Sequence, residues 1–352
     1  MRPIARLLLL SLALPCLPSF AEPVAGLYEV REPVASQQPA DREQALQRAL
    51  DTLVLRLSGD PAALRNPGLA ELRKDPQQLI SQYGYDDEAL KVDFDPLSSE
   101  RALSRAGISL WGANRPSILA WWLNESVDAA SLVGDGQASA APLRAAAQRA
   151  GLPLRLPLAD LPEQLVATSD TLRASSPDAL REISTRYGAD ALLAVDARED
   201  DGKWTAQWKL WLGDSREQGN AEGADAASLA EAVLWAVNQR LAPRFVAKPG
   251  AARALSVQIE GADLARYAEL DRLLEPFAAH LQSVSGSQLN YQLNASPEQL
   301  RAQLALGGLH ELAAEAPAAS APAQGVATDP ATPPAPPAAP AAPQDPVLRF
   351  GW

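Results

Sequence analysis

Residues 315–346 consist almost only of alanine and proline, with a few small polar residues among them. A segment of this composition cannot bury enough apolar surface to offset the entropy lost when it is ordered. We therefore expect a disordered, semi-rigid spacer over 315–346, because proline-rich chains favour extended conformations. The spacer confines the folded cores to residues before about 312 and leaves an apolar tail, residues 347–352, beyond it.

The first residues have the layout of a secretory signal. Two positive charges, Arg2 and Arg6, precede the apolar run Leu7–Leu14, which is too short to cross a bilayer. Small residues at Ser19 and Ala21 fit the positions that a signal peptidase reads. The pattern predicts a signal peptide over 1–21, cleaved after Ala21, and export to the periplasm.

Cys16 lies inside this predicted signal and is the one cysteine of the chain. A lipoprotein signal needs a small residue just before its cysteine, and Pro15 occupies that position, so the pattern favours an ordinary apolar role for Cys16 over an outer-membrane lipoprotein. Cleavage after Ala21 leaves no cysteine for a disulfide. It also removes Arg2 and Arg6, which takes the formal net charge from −12 to −14. A surface of this sign repels phosphate backbones, so nucleic acid is not expected as a partner.

Helical and strand patterns alternate over the rest of the chain, and no second long apolar run predicts a membrane span. The fold class that follows is α/β (α+β type), with two or three small mixed-sheet domains on which helices pack. The predicted domains are an N-terminal α/β domain over 22–128, a middle α/β domain over 142–243 and a small C-terminal α+β domain over 254–312.

Two segments near the middle of the chain give the clearest strand patterns. Ser117–Leu123 is nearly continuous in apolar character, which indicates a strand buried on both faces. Trp204–Leu212 alternates after an Asp-Gly turn, which indicates a hairpin strand with one wet face. Trp211 falls on the polar side of that strand. We therefore predict that Trp211 is exposed and available to a partner.

The last domain reads as a strand-helix-strand-helix plait, with a helix over Asp263–Leu281. The tail after the spacer is strand-like and carries Phe350 and Trp352. Three alternatives remain for it: an added edge strand on the last domain of the same chain, contact with another protein, or disorder. Phe350 and Trp352, with Trp211, are the candidate partner-binding residues.

Four segments together resemble a family of exported Gram-negative bacterial proteins known as domain of unknown function 2066. The resemblance covers roughly residues 22–310, and the family has no established activity to carry over. What it implies is export and an uncharacterised role. The four segments are Leu27–Val30, Leu55–Asp60, Pro116–Leu123 and the tryptophan-rich hairpin at 204–212.

No catalytic, metal-binding or cofactor-binding pattern stands out. His280 and His310 are placed at or near helix ends and lack the spacing of a zinc site. Carboxylates at 86–88 and at Asp93 and Asp95 offer a pair for glycan hydrolysis or calcium, but they also fit solvated strand ends. The leading hypothesis is a non-catalytic periplasmic interaction or assembly module with an unknown envelope protein as its partner. The alternative is a carboxylate-based periplasmic glycan hydrolase or glycan-binding protein.

Overall fold

The computed structural model of the chain describes residues 24, 26–86, 89–127, 129–246, 252–312 and 347–352. The predicted signal peptide and the predicted spacer lie outside the described residues. The chain divides into two compact units, Met1–Val246 and Ala247–Trp352, here called unit 1 and unit 2. Both are built from sheets with helices packed on them, so the predicted α/β (α+β type) fold class is confirmed.

Unit 1 begins with a three-stranded antiparallel sheet in the order β1-β3-β2. Helix α1 packs on β1 and β3, and leucines at helical spacing along α1 form the core beneath it. The elements are β1 (Glu29–Pro33), α1 (Pro39–Ser58), α2 (Leu69–Lys74), β2 (Ile80–Asp86), β3 (Ala89–Phe94) and α3 (Pro96–Arg105).

The second sheet of unit 1 has six strands in the order β5-β4-β7-β8-β9, with β6 pairing β4 beside β5. Strands β4 and β7 are parallel, and β7, β8 and β9 form an antiparallel meander. The elements are β4 (Ile118–Glu125), β5 (Ala130–Leu132), α4 (Ala140–Ala150), β6 (Leu154–Arg155), α5 (Leu161–Val166), α6 (Ser169–Arg173), α7 (Asp178–Ser184), β7 (Ala191–Asp200), β8 (Lys203–Leu212), β9 (Ser215–Gly223) and α8 (Ala226–Phe245).

The two clearest strand predictions are confirmed in this sheet. The first six residues of β4 are all buried. The Asp-Gly turn joins β7 to β8 with positive φ at both Asp201 (49°) and Gly202 (74°). That geometry matches the right-handed twist of the paired strands. Helix α4 packs against α8, and α8 packs on β8 and β9.

Two buried arginines join the elements of unit 1. Arg56, in the last turn of α1, donates to the carbonyl oxygens of Leu27 (2.8 Å) and Glu29 (2.7 Å) before and within β1, and to that of Arg149 (3.0 Å) in α4. The carbonyls at a helix end lack partners within the helix, so such donors stabilise it there.

Arg115, just before β4, is fully buried. Its guanidinium donates to the carbonyl oxygens of Arg56 (2.9 Å), Gly151 (2.9 Å), Trp111 (3.0 Å) and Gly112 (3.1 Å). It also lies 4.2 Å from the centroid of the Trp111 ring. One side chain thus ties the end of α1 to the residue that follows α4.

Unit 2 contains a five-stranded mixed sheet in the order β11-β12-β10-β14-β13. Its core combines leucines of both helices with alternate residues of β10 and β12. The elements are β10 (Arg253–Glu260), α9 (Leu264–Leu274), β11 (His280–Ser285), β12 (Gln288–Ala295), α10 (Pro297–Leu306), β13 (His310–Glu311) and β14 (Leu348–Gly351).

The helix predicted over Asp263–Leu281 is wrong in its second half. Helix α9 ends at Leu274, a 3₁₀ turn follows, and Ala278 takes a positive φ of 47° that ends it. Pro276 in that turn cannot donate to a continuing helix. The residues after this turn form β11, a strand that the predicted strand-helix-strand-helix plait does not contain.

Candidate functional site

The tail predicted to meet a partner forms β14 inside the unit 2 sheet. It lies between β10 and β13, parallel to β10 and antiparallel to β13. Phe350 is opposite Ile259 on one side and Glu311 on the other. Of the three alternatives for the tail, the structure has the strand on the chain's own last domain, but at an internal position and not at the predicted edge, because β13 pairs with its outer side.

Phe350 fills the core beneath this position. Its side chain is 1% exposed and belongs to the core that includes Leu255, Leu293 and Leu304. Alternate residues of a strand face one side, and Leu348 and Trp352 accordingly pack against the same core. The alternation that made the tail look like a strand therefore places three apolar side chains on the helix-covered face.

Trp352 is held by polar as well as apolar contacts. Its indole N–H donates to the carbonyl oxygen of Gly307 (3.0 Å), and the Arg266 guanidinium carbon lies 4.9 Å from its ring centroid. Gly307 is also closely packed by Leu273, since a Cβ at 307 would lie 2.5 Å from a methyl of Leu273 and that side chain would have to move. The Gly-Gly end of α10 thus forms one wall of the site.

Arg349 points away from this core and pairs with Glu260 of β10, its Nη2 lying 2.6 Å from Oε1. The position between β10 and β13 therefore contacts three side chains of the tail: the phenylalanine, the tryptophan two residues after it, and the arginine before it. We call this position, with Glu260, Arg266 and Gly307, the strand slot.

Strand β11 forms the opposite edge of the unit 2 sheet. All six of its residues are exposed. Leu281 and Val284 are 39% and 58% exposed. A bulge between Leu281 and Ser283 places them opposite the buried Tyr291 and Leu289 of β12, so both continue the core face of the sheet beyond its helical cover.

Trp211 lies on β8 and is 6% exposed, so its predicted exposure is wrong. It packs in a core with Trp121, Leu180 and Leu192, because the short helices between β6 and β7 cover this end of the sheet. The exposed residues of β8 are Lys203, Thr205 and Gln207, all in its first half. Trp211 still lines a surface hollow of about 540 Å³.

A cleft of about 660 Å³ opens at the carboxyl end of β4, the end at which open parallel sheets bind ligands. Glu125 lies in it, accepts a hydrogen bond from Ser169, and pairs with Arg198 (2.7 Å). Two exposed leucines, Leu161 and Leu165, line the same cleft. The sequence pattern gave no sign of this cleft, because its residues come from four separate segments.

Next to Glu125, the carboxylate of Asp196 is buried on β7 and forms an ion pair with Arg173 of α6. Arg198 lies 4.0 Å from the same carboxylate. Burial raises the pKa of Asp196 above its ordinary value, Arg173 opposes that rise, and Glu125 adds to it. The arrangement is a charge-balanced cluster of two carboxylates and two guanidinium groups.

The other candidate groups have local partners. Asp86 pairs with Arg31, and Asp93 accepts from Gln82 (2.7 Å). Asp95 caps α3, so it does not continue the strand of Asp93 as a carboxylate pair would require. Residues 87 and 88 lie outside the described residues.

The two histidines, His280 and His310, are exposed and begin β11 and β13, a few residues after the 3₁₀ turn that follows α9 and after α10, respectively. Within the residues that the structure describes, no three histidine, cysteine or acidic side chains gather as a metal site would need. In that same part of the chain, no helix is both long enough and apolar enough to cross a membrane.

Comparison with known proteins bears on the first quarter of the chain. Residues 21–112 match the model of a family described as a domain of unknown function, DUF8605. This is a different family from domain of unknown function 2066, so the resemblance drawn from the sequence is wrong. No curated protein and no solved structure matches the chain. The match covers the first sheet of unit 1 and neither the strand slot nor the cleft.

Proposed function

We propose that this chain is a non-catalytic interaction or assembly module of the bacterial cell envelope, and that it binds a partner protein by strand addition at β11. The observation that carries the proposal is the open edge that β11 presents. An edge strand offers a row of unpaired N–H and C=O groups to any extended segment that reaches it.

Two of the sheet edges, β9 in unit 1 and β11 in unit 2, differ in a way that supports this role. Strand β9 carries charged residues such as Arg216 and Glu217 along its length, and α8 packs against it. Charge on an edge strand and a covering helix are the usual means of preventing strand addition. The sequence of β11, His-Leu-Gln-Ser-Val-Ser, has neither aspartate, glutamate, lysine nor proline.

The exposed apolar residues of β11 also indicate which residues a partner strand needs. Leu281 and Val284 face the same side as the core of unit 2. A partner strand that places apolar residues on that side would cover both and extend the hydrophobic face. The partner is therefore an extended segment of an envelope protein with alternating apolar residues.

The test is crosslinking in cells followed by capture of the full-length chain, comparing Val284→Lys with Leu264→Lys. Leu264 is an 87% exposed leucine on α9 of the same unit, so it controls for the added charge. We expect a captured envelope protein with the unmodified chain and with Leu264→Lys, and its loss with Val284→Lys. The same capture from both variants would refute strand addition at β11.

In this proposal the chain is exported and its signal is cleaved after Ala21. The support is the charge and apolar pattern of the first 21 residues. Cell fractionation and N-terminal sequencing test it, with a periplasmic protein beginning at Glu22 as the expected result. A chain retained by membranes with Cys16 acylated would establish the lipoprotein alternative instead.

A second candidate, a carboxylate-based glycan hydrolase or glycan-binding protein, is favoured by the cleft at the end of β4. Its pair would be Glu125, which lines the cleft, and the buried Asp196 beside it, whose raised pKa suits a proton donor. Incubation with cell-wall glycans tests this, with Asp196→Asn as the variant and the half-buried Asp93→Asn on β3, away from the cleft, as the control. Release or retention of glycan that is abolished only by Asp196→Asn would favour this function over the first.

A further inference from the structure

Strands β13 and β14 are neighbours in space but distant in the chain. The backbone N–H of Leu312 donates to the carbonyl oxygen of Arg349 (2.8 Å), so the end of one strand meets the start of the other. Antiparallel neighbours need a connection of as few as two residues. Here 34 residues, 313–346, stand between them, far more than the pairing requires.

Within the part of the chain that the structure describes, residues 348–352 make the contacts that hold β14. Phe350 enters the core, Trp352 contacts Gly307 and Arg266, and Arg349 pairs with Glu260. None of these contacts involves residues 313–346. The strand slot therefore recognises this strand by its own side chains and main chain, whichever copy of the chain supplies it.

We infer that the strand slot is a binding site for a separable strand of the type Leu-Arg-Phe-Gly-Trp, and that in an assembled form the strand comes from a second copy of this chain. The inference deepens the proposed function and rests on it in taking assembly as the role. When two copies exchange their strands, each strand makes the same contacts in the slot of the other copy. The free-energy cost of exchange is therefore limited to the loss of the tether.

The length of the connection sets when exchange occurs. The proline-rich composition of 313–346 predicts an extended, semi-rigid connection, whose span exceeds the roughly 30 Å expected for a fully flexible chain of 34 residues. Because that span is longer than the gap between the end of β13 and the start of β14, the local concentration of the strand at its own slot is at most on the order of 1 mM. Copies at micromolar concentration therefore keep their own strands, and copies clustered at near-millimolar local concentration exchange them.

The first experiment opens the slot and supplies the strand separately. A labelled peptide of residues 345–352 is added to the full-length chain carrying Phe350→Ala, and to the unmodified chain. We expect the peptide to bind the Phe350→Ala chain at least about 100-fold more tightly, because the unmodified slot is already filled. A peptide that lacks both aromatic side chains is the control and should not bind.

Equal binding to both chains, or no binding to a Phe350→Ala chain whose unit 2 keeps its protection from hydrogen exchange, would overturn the inference. If Phe350→Ala unfolds unit 2, the full-length Trp352→Ala chain replaces it, since Trp352 is only partly buried. The peptide should then displace the weakened strand, and failure to do so counts against the site in the same way.

The second experiment shortens the tether and measures the molar mass in solution. Deleting 313–346 joins Leu312 to Val347, and pairing within one copy would then force Val347 and Leu348 into a two-residue turn that suits neither. We expect this variant to be a dimer at micromolar concentration. Deleting 319–346 keeps six connecting residues, enough for a hairpin, and should leave a monomer.

A monomer from the complete deletion, with β14 either protected or exposed, would contradict exchange between copies. The outcome is separate from the test of the proposed function, because β11 and the slot lie on opposite sides of β10 in the sheet. Loss of a partner in Val284→Lys therefore carries no information about the slot, and the reverse also holds.

Discussion

Unit 1 and unit 2 complete their sheets in different ways. The large sheet of unit 1 draws its strands from one continuous stretch, 118–223, and buried arginines tie it to the elements before it. Unit 2 draws its fourth strand in sheet order from beyond a 34-residue connection, and holds it by two aromatic side chains and one ion pair. Unit 1 therefore completes its large sheet from neighbouring segments, whereas unit 2 takes one strand from a distant part of the chain, as the inferred exchange requires.

The largest expected effect comes from removing the arginine that joins the elements of unit 1. Arg115→Met leaves four carbonyl oxygens without this donor, and the bonds to three of them, those of Arg56, Trp111 and Gly151, are buried. We expect unit 1 to lose about 3–5 kcal/mol of unfolding free energy, since each unsatisfied buried group is costly. Urea unfolding followed by hydrogen exchange in each unit measures this. Arg105→Met, at an exposed arginine, is the control. An equal loss of unfolding free energy in unit 2 would contradict the assignment of Arg115 to the stability of unit 1.

The matching change in unit 2 is Phe350→Ala. Truncating a buried phenylalanine costs about 3–4 kcal/mol, and here the loss includes release of β14. Hydrogen exchange should rise in β10 and β13, which pair with β14, and remain unchanged in unit 1. Faster hydrogen exchange confined to residues 348–352 would mean that the rest of unit 2 does not depend on β14 for its stability.

A smaller effect is expected from Trp352→Ala, which removes the hydrogen bond to Gly307 and the contact with Arg266. Together these contribute about 1–2 kcal/mol. The sheet should stay intact while β14 exchanges its amide hydrogens faster. Arg266→Ala removes only the contact with the Trp352 ring and should therefore give a smaller rise in the amide exchange of β14. An effect as large as that of Phe350→Ala would show that the anchors do not act separately.

The smallest effect concerns the exposed pair Arg301–Glu311 (2.7 Å), which joins α10 to β13. The hydrogen bond from Arg301 holds the pKa of Glu311 below its ordinary value of 4.5. A lowered carboxylate pKa contributes stability that is present above pH 4.5 and is lost as the pH falls through the folded-state pKa. Glu311→Gln should cost less than about 1 kcal/mol at pH 7 and almost nothing at pH 3. Denaturant midpoints of both chains at pH 7 and pH 3 measure this loss of unfolding free energy. A loss that persists at pH 3 would exclude the ion pair as its cause.

Strong local patterns predicted much of the fold. The apolar run of β4 and the alternation of β8 needed no tertiary information, because burial on both faces and an Asp-Gly turn leave few other structures. The same local pattern misplaced Trp211, since the helices that cover its face come from 161–184. It also extended α9 too far, because Leu281 continues the helical spacing while Pro276 and Ala278 end the helix.

The candidate site was predicted in part. The aromatic alternation of 348–352 identified a strand, and Phe350 and Trp352 are its anchors within unit 2. The slot itself was not predicted, because Glu260, Arg266 and Gly307 carry no motif and meet only in the folded unit. The assignment to domain of unknown function 2066 failed for a related reason: short apolar segments are shared by many unrelated sheets.

The internal position of β14 has a consequence for the order in which unit 2 forms. Val257 and Leu348 are paired in the sheet but lie about 90 positions apart in the chain, and pairings of such separation form late. Until they form, β10 has one unpaired side, although β12 already covers the other. A folding factor that covers β10 during that interval would determine the yield of the folded protein and yet leave no contact in its final structure.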